Sequence, residues 1–383
     1  LTGNSCAIMA LPVIIFILIL YGYALVMLLF SFEIERDDST SGGDLPEHLR
    51  YVSVIVPFRN EKDHLEGIVV DLISQSYPDE LWEVIFIDDH SDDASFAKVE
   101  SLIKDNHLAD REFYLHSLTT GKSGKKAALS HGIGRAKYDW IIQVDADCRL
   151  GAEFIASHMS FLENHPSDLV AGLVTTGKDS PGFHGCFERL DILSLMGSAA
   201  GSFGLGRPML CSGANLAYSR ELYLETRTFD PENVISSGDD MFLMIGARKL
   251  GKTLNFTMSR RSMVETSPVN DFRKLITQRI RWGSKTTSYR ITDIQSLAIL
   301  VSLANLIILL LPLWIVLMAG SWPWLAGGWI LKTFADFMLL WRTTGATGNR
   351  ADLRQFLPVS LAYYPVFMIT LAGILSGKPV WKR

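Results

Sequence analysis

Residues 145–147 read Asp-Ala-Asp and close an apolar run, 140–144. Two carboxylates one residue apart repel unless a cation sits between them. A hard divalent ion with oxygen ligands, and free positions for phosphate oxygens, suits such a pair. A solvated turn after a strand is the plainer reading of the same residues. Other acidic groups also follow apolar runs. Glu61 comes after Val54-Ile55-Val56-Pro57-Phe58-Arg59-Asn60, and Asp88 and Asp89 precede His90 and Ser91. Acids placed there can accept N–H donors from a base or ribose. Asp239 and Asp240 follow Gly238 at the start of a helical pattern. They suit a helix N-terminus or a general base that reaches an acceptor hydroxyl. Gln278, Arg281 and Trp282 lie in the basic stretch 273–290. That stretch suits a helix in the membrane interface. Its chemical reading is a cation for a leaving diphosphate beside an aromatic platform for a sugar face.

Gly121-Lys122-Ser123 invites comparison with a phosphate-binding P-loop. That motif needs glycine at 116, where His116 stands, and without it the phosphate-cradling turn is hard to form. Gly124-Lys125-Lys126-Ala127-Ala128-Leu129 reads better as a basic loop opening a helix.

These groups need elements to hold them. Strand signals at 52–57, 83–88, 112–118 and 140–144 alternate with helical patterns at 61–74, 94–105 and 125–136. This rhythm predicts an α/β fold with a mostly parallel, Rossmann-like sheet covered on both faces. In such a sheet, ligands bind at the carboxyl ends of the strands, where the acids fall. The segments 152–164, 169–174 and 187–200 continue the alternation less cleanly, the glycine-rich 201–206 reads as a mobile loop, and 241–250 looks helical.

The 383 residues suffice for one such domain and a membrane portion, and 48% are hydrophobic, concentrated at the two ends. A formal net charge of −5 does not suggest a nucleic-acid partner. The four cysteines form no C-x-x-C pair, which fits a reduced catalytic portion without a zinc site or disulfide framework. No charge precedes Glu33, and 9–30 is apolar for long enough to span a bilayer. With no basic leader or small-residue cleavage site, it is expected to be a retained anchor. Three further spans are expected near the C-terminus, at 294–318, 322–341 and 356–375. The expected organisation is an anchor over 1–32, a linker over 33–47, a catalytic domain over 48–270, an interface helix over 271–290 and a transmembrane region over 291–383. Arg342, Arg350 and Arg354 place the loop between the last two spans in the cytoplasm, and the catalytic domain with it. The tail carrying Lys378, Lys382 and Arg383 runs against that assignment. Lys332 and Asp336 fall on one face of the second of these spans, as an ion pair or as the lining of a polar path.

The order Pro57-x-x-Asn60-Glu61, Asp88-Asp89-x-Ser91, Gly124-Lys125-x-x-Ala128-Leu129, Asp145-Ala146-Asp147, an acidic pair before a helix, and Gln278-x-x-Arg281-Trp282 resembles the inverting family-2 glycosyltransferases of GT-A fold. It is most similar to the membrane-embedded group of cellulose, hyaluronan, chitin and poly-N-acetylglucosamine synthases and ceramide glucosyltransferase. The resemblance implies that Asp88 and Asp89 contact the uracil, Glu61 lies near the nucleoside and Lys125 near the phosphates. It places Asp145 and Asp147 on the nucleotide sugar and a Mg2+ or Mn2+ ion, with Asp147 the more direct metal ligand. Gln278, Arg281 and Trp282 match the Q-x-x-R-W motif, and Cys211-Ser212-Gly213-Ala214-Asn215 resembles the segment lining the acceptor pocket. Gly238-Asp239-Asp240 replaces T-E-D, so the base is Asp240 by position with Asp239 beside it, and Ser130 replaces a frequent Asn. The implied activity is transfer from a nucleotide sugar, UDP by preference, to a membrane-associated lipid or polysaccharide, in cell-envelope polysaccharide or glycolipid synthesis. The protein would sit in the inner or plasma membrane. With few spans, polymer export would call for an accessory subunit, and single transfer to a lipid is the nearest alternative. A P-loop NTPase and a transporter without transferase activity are more remote ones.

Overall fold

The structure, a computed structural model, describes residues 4–34, 46–118, 121, 123–227, 238–269, 271–285, 289, 291–317 and 322–376, with side chains from residue 11 onward except 315 and 317. Most of the expected linker, Lys122, Arg290, the end of the 294–318 span and the basic tail fall outside the described residues.

In chain order the elements begin with α1 (Asn4–Glu33), β1 (Val52–Phe58), α2 (Leu65–Ile73), β2 (Trp82–Asp88), α3 (Ser95–Asp105), β3 (Phe113–Ser117), α4 (Lys125–Arg135) and β4 (Trp140–Gln143). There follow β5 (Cys148–Leu150), α5 (Phe154–Asn164), β6 (Leu169–Gly172), β7 (Val174–Thr176), α6 (Gly182–Gly204), β8 (Leu216–Ser219), α7 (Arg220–Thr226) and α8 (Asp239–Lys249). The chain continues with β9 (Leu254–Thr257), β10 (Val264–Thr266), α9 (Phe272–Gly283), α10 (Thr292–Leu309), α11 (Leu311–Leu317), α12 (Trp322–Thr347) and α13 (Phe356–Leu375). It divides into two compact units, one of residues 35–177 and 202–267, the other of 1–34, 178–201 and 268–383.

The first of these units is built on a sheet in the order β3-β2-β1-β4-β8-β6-β9 among the described residues. Every residue of β1 and β2 is buried, so these strands show no alternation, as expected of strands covered on both faces. β3, β2, β1 and β4 are parallel, as the sequence predicts. β8 then runs antiparallel to both β4 and β6, and β6 runs parallel to β9. The chain moves from β1 outward to β3 and returns to β4 on the other side of β1. That reversal opens a crevice at the carboxyl ends of β1 and β4. The single strand expected at 169–174 is divided, since β6 joins the large sheet and β7 joins a small one ordered β5-β10-β7. Asp71 of α2 anchors β5 by accepting Arg149 Nε at 2.7 Å, Arg149 Nη2 at 2.8 Å and the Leu150 N–H at 2.9 Å.

In the other unit, α1 packs along α12. A Cβ on Gly328 would stand 2.8 Å from Leu20 Cδ1, so the two helices meet at a glycine. Gly201 likewise lies inside α6, where a Cβ would meet the Phe30 backbone at 2.5 Å. The expected loop at 201–206 is therefore mostly helix, and the glycine serves close packing. Among the described residues, three helices are long and apolar enough to cross a membrane: Leu11–Glu33, Thr292–Leu309 and Arg350–Leu375. Two of them lie in the C-terminal region, where about three spans are expected. The span expected at 294–318 stops at Leu309, and α11 follows as a separate short helix. α12 has 26 residues but carries Lys332 and Asp336. These form an ion pair at 2.7 Å, and the Tyr23 hydroxyl donates to the same carboxylate at 2.7 Å. The pair is thus the ion pair anticipated, with a third member from α1.

Candidate active site

The acids at the strand ends are held by the turns that follow. Asn60 and His90 both take left-handed backbone, each with φ of 56°. Few non-glycine residues adopt it, Asn and His among those enriched there, and it often marks a functional turn. The Asn60 N–H donates to Ser91 Oγ at 3.0 Å, and Asn60 Oδ1 accepts the Asp92 N–H at 2.9 Å, which ties the turns after β1 and β2 together. Asp88 and Asp89 are both buried. Asp88 Oδ1 accepts the Ser91 N–H at 3.1 Å. Asp89 Oδ2 accepts the Gly124 N–H at 2.8 Å, so this carboxylate holds the start of α4. His90 Nδ1 lies 3.2 Å from the other oxygen of Asp89, and Arg59 Nη1 lies 3.9 Å from Oδ2.

Asp89 thereby fixes the loop that delivers Lys125. Lys125 Nζ lies 2.5 Å from Asp145 Oδ1, both groups about one-third exposed. Burial works against the Lys125 ammonium, yet Asp145, Asp239 and Asp240 hold its pKa above the ordinary lysine value. Burial, with Asp147 beside it, pushes Asp145 up to about 6 against the pull of Lys125. Asp147 is half-buried, and its carboxylate accepts a weak 3.7 Å bond from the Cys148 thiol. Its backbone carbonyl accepts Ser267 Oγ at 3.2 Å and the Ser267 N–H at 3.1 Å. Ser267 Oγ also lies 3.1 Å from His64 Nδ1, and His64 Nε2 lies 4.0 Å from Glu61 Oε2. A polar chain thus runs from Glu61 to the backbone of Asp147, through two residues that the sequence pattern did not single out.

Asp239 and Asp240 form the first turn of α8, whose N-cap is Gly238 with φ of 97°. Asp240 Oδ1 accepts the Met241 N–H at 2.8 Å, and Oδ2 accepts the Gly213 N–H at 2.9 Å. Burial and the Asp239 charge raise the Asp240 pKa above its ordinary value, against Lys125 and these two donors. Asp239 Oδ2 accepts Gln143 Nε2 at 3.1 Å. Gly213, within 211–215, stands at the centre: a Cβ there would lie 2.7 Å from Gln143 Nε2 and 3.3 Å from both Asp240 Cβ and Lys125 Nζ. One visible signal for Gln143 is its polar side chain inside the apolar run 140–144.

Asp145 and Asp147 offer hard oxygen donors to a divalent cation. Among the described residues no group of three His, Cys, Asp or Glu side chains could hold a metal ion. The pair fits a cation that takes its remaining ligands from phosphate oxygens and water.

Gln278, Arg281 and Trp282 belong to the other unit, on α9. Arg279 between them pairs with Asp191 at 2.5 Å and lies over the Trp282 ring at 4.4 Å. Its Nη1 donates to Gln278 Oε1 at 3.2 Å. One face of Trp282, expected as a sugar platform, is therefore already covered by a guanidinium. Arg281 lies in the last turn of α9, where helix carbonyls favour a cation.

This strand-end cluster of acids and one lysine, on a sheet with a switch point, agrees with what comparison with known proteins shows. The profile of glycosyl transferase family group 2 matches residues 140–374, and that of glycosyl transferase family 2 matches residues 53–225. The chain belongs to the family-2 glycosyltransferases. Glycosyltransferase AglE of Haloferax volcanii is 25% identical over 61% of this chain and 72% of its own length. The poly(ribitol-phosphate) beta-glucosyltransferase of Bacillus spizizenii is 26% identical over 32% of this chain, and the match spans 18% of that relative. The dodecaprenyl-phosphate galacturonate synthase of Rhizobium johnstonii is 32% identical over 33% of this chain and 37% of its own length. A mannosyltransferase from Pyrobaculum calidifontis, solved with GDP-Man and Mn2+, aligns over 95% of this chain and 97% of its own, with TM-score 0.54 and 16% identity. That likeness supports the GT-A fold.

Proposed function

We propose that the chain is an inverting glycosyltransferase that moves a sugar from a nucleotide sugar, UDP-linked by preference, to a membrane-associated acceptor. The observation that carries this reading is the cluster of Asp145, Asp147, Asp239 and Asp240 around Lys125 at the crevice between β1 and β4. Glu61, Asp88 and Asp89 line the nucleoside end, and Lys125 serves the phosphates. Asp147 and Asp145 would hold a Mg2+ or Mn2+ ion, which when bound would offset the charge of the diphosphate. Asp240 takes the proton of the acceptor hydroxyl. The freed oxygen attacks the anomeric carbon from the face opposite the diphosphate, the bond to the diphosphate breaks, and the nucleoside diphosphate leaves. Two features favour Asp240 as the base: its raised pKa lies nearer the working pH, and two backbone donors fix its carboxylate. Arg281 is assigned to the leaving diphosphate, with Gln278 and Trp282 at the acceptor.

Relatives named as polyprenyl-phosphate sugar transferases support a lipid acceptor and single transfer, and those named for poly(ribitol-phosphate) support a polymer. The apolar helices support association with a membrane. α12, at 26 residues, has the length for a further crossing, and the pairing of Lys332 with Asp336 lowers the cost of its two charges there. Counted with that crossing, an even number of spans separates the catalytic segment from the loop with Arg350 and Arg354, and the positive-inside rule supports the cytoplasm for both.

The test is transfer by the purified full chain from radiolabelled UDP-glucose, UDP-N-acetylglucosamine and GDP-mannose, with Mn2+ and a lipid extract. Labelled product from wild type, and its loss by about 10²- to 10⁴-fold in Asp240→Asn with nucleotide binding retained, is the expected result. Normal turnover by Asp240→Asn would remove Asp240 from the role of base.

A further inference from the structure

We propose that Gln143 is a positioning residue: its side-chain amide locks the acid pair of α8 to the strand that carries Asp145. The inference rests on the glycosyltransferase reading above and extends it to a residue outside the motifs.

Gln143 is 2% exposed at the end of β4, where the neighbouring residues Ile141, Ile142 and Val144 are apolar and buried. A buried amide is unfavourable unless its groups are paired. Here they are: Nε2 donates to the Gly213 carbonyl at 2.9 Å and to Asp239 Oδ2 at 3.1 Å, and Oε1 accepts the Tyr218 hydroxyl at 3.1 Å. The orientation of the amide follows from chemistry. Turned over, its oxygen would face a carbonyl and a carboxylate, two acceptors with no proton between them. Tyr218 is fully buried on β8 and pairs with Ile141 across the antiparallel ladder, so the hydroxyl that steers the amide is itself fixed.

The relay therefore joins β8, β4 and α8. It reaches Asp239 directly. It reaches Asp240 through Gly213, whose carbonyl Gln143 holds and whose N–H donates to Asp240 Oδ2. Gln143 lies two residues before Asp145 on the same chain, so one short stretch sets both the diphosphate end and the base end. A leucine or methionine would fill the same volume, yet would leave Asp239 and the Gly213 carbonyl without this donor.

The test uses the purified full chain with the transfer assay above, together with thermal melting and titration with UDP and Mn2+. Gln143→Met is expected to lower kcat about 30- to 100-fold, the loss typical of reacting groups displaced by about 1 Å. The donor KM and UDP affinity should change less than about 3-fold, as the amide holds the base and not the donor. Tyr218→Phe keeps the ring and removes only the steering hydroxyl. It should lower kcat about 3- to 10-fold with the same unchanged KM, as the loss of one neutral hydrogen bond implies. Should Gln143→Met fail to fold, Tyr218→Phe alone decides. Folded variants with wild-type kcat would overturn the inference, as would equal losses in kcat and donor affinity. A wild-type chain that transfers nothing from any of the three donors would instead overturn the glycosyltransferase reading, and this role with it.

Discussion

Gly213→Ala tests whether the site is as tightly closed as its distances indicate. The new methyl would stand 2.7 Å from Gln143 Nε2, where ordinary contact begins at 3.4 Å, so something must move by about 0.7 Å. The far end of a glutamine usually yields easily. Here it is held by three hydrogen bonds, and retreat breaks those to the Gly213 carbonyl and Asp239. Movement of the backbone instead carries the Gly213 N–H away from Asp240. Asp240 Cβ and Lys125 Nζ, each 3.3 Å from the methyl, block the remaining directions. Overpacking of this kind costs about 1–3 kcal/mol. In a chain of 383 residues each kcal/mol lowers the melting temperature by about 1 °C. The rate of transfer should fall about 10- to 100-fold, since both routes of escape displace an acid of the site. Gly134→Ala is the control. It lies exposed in α4 with nothing within 4 Å of the added methyl, and should be neutral or stabilising by up to about 1 kcal/mol. Melting and turnover are read on both proteins. A Gly213→Ala protein that melts and turns over like wild type would show that the amide is free to swing aside, and the argument from packing would fail.

Three further outcomes are expected. Asp147→Ala should abolish the Mn2+ dependence of UDP binding in calorimetry, and unchanged metal-dependent affinity would take Asp147 out of the cation site. Transfer needs ionised Asp240, whose pKa is raised by burial and by Asp239, so kcat/KM should decline on acidification with its limb above the ordinary aspartate value of about 4. The same shift disfavours the folded state above the raised pKa, so this group's contribution to stability improves as pH falls toward the unfolded value. A limb at or below pH 4 would contradict the assignment. Lys332→Met should destabilise by about 3–5 kcal/mol, because Lys332 is 3% exposed and its loss leaves the Asp336 carboxylate, among the described residues, with the Tyr23 hydroxyl as its side-chain donor. Replacing both charges with apolar residues should recover most of that loss, and a single variant that melts like wild type would mean that Asp336 is hydrated.

The parallel half of the sheet is legible in the sequence because β1, β2 and β4 are mostly apolar runs with acids at or just after their ends. β8 is only four residues long, and its reversal beside β4 depends on pairing with distant residues that no local pattern displays. Glycine misled at 201–206 for a related reason. The rule that links glycine to loops describes backbone freedom, whereas Gly201 is selected by the approach of Phe30, remote in sequence. In the candidate site the charged residues stand out by type and spacing. Gln143 shows in the sequence only as a polar residue inside an apolar run, and Tyr218, His64 and Ser267 act through hydrogen bonds to residues remote in sequence, so the part these four play emerges from coordinates.

The contact between Tyr23 and Asp336 also bears on how the chain is made. Its two ends are 313 residues apart, a delay of about 15–60 s at ordinary rates of synthesis. α1 is apolar enough to wait in a bilayer by itself. α12 is less apolar, since it carries Lys332 and Asp336, which pair with each other and with Tyr23 of α1. α1, made first, is therefore available to receive α12 when that helix is made, and the Tyr23 hydroxyl to meet Asp336. Truncating the chain at its N-terminus should then be felt as failed insertion of α12 in newly made protein, before any effect on the mature enzyme.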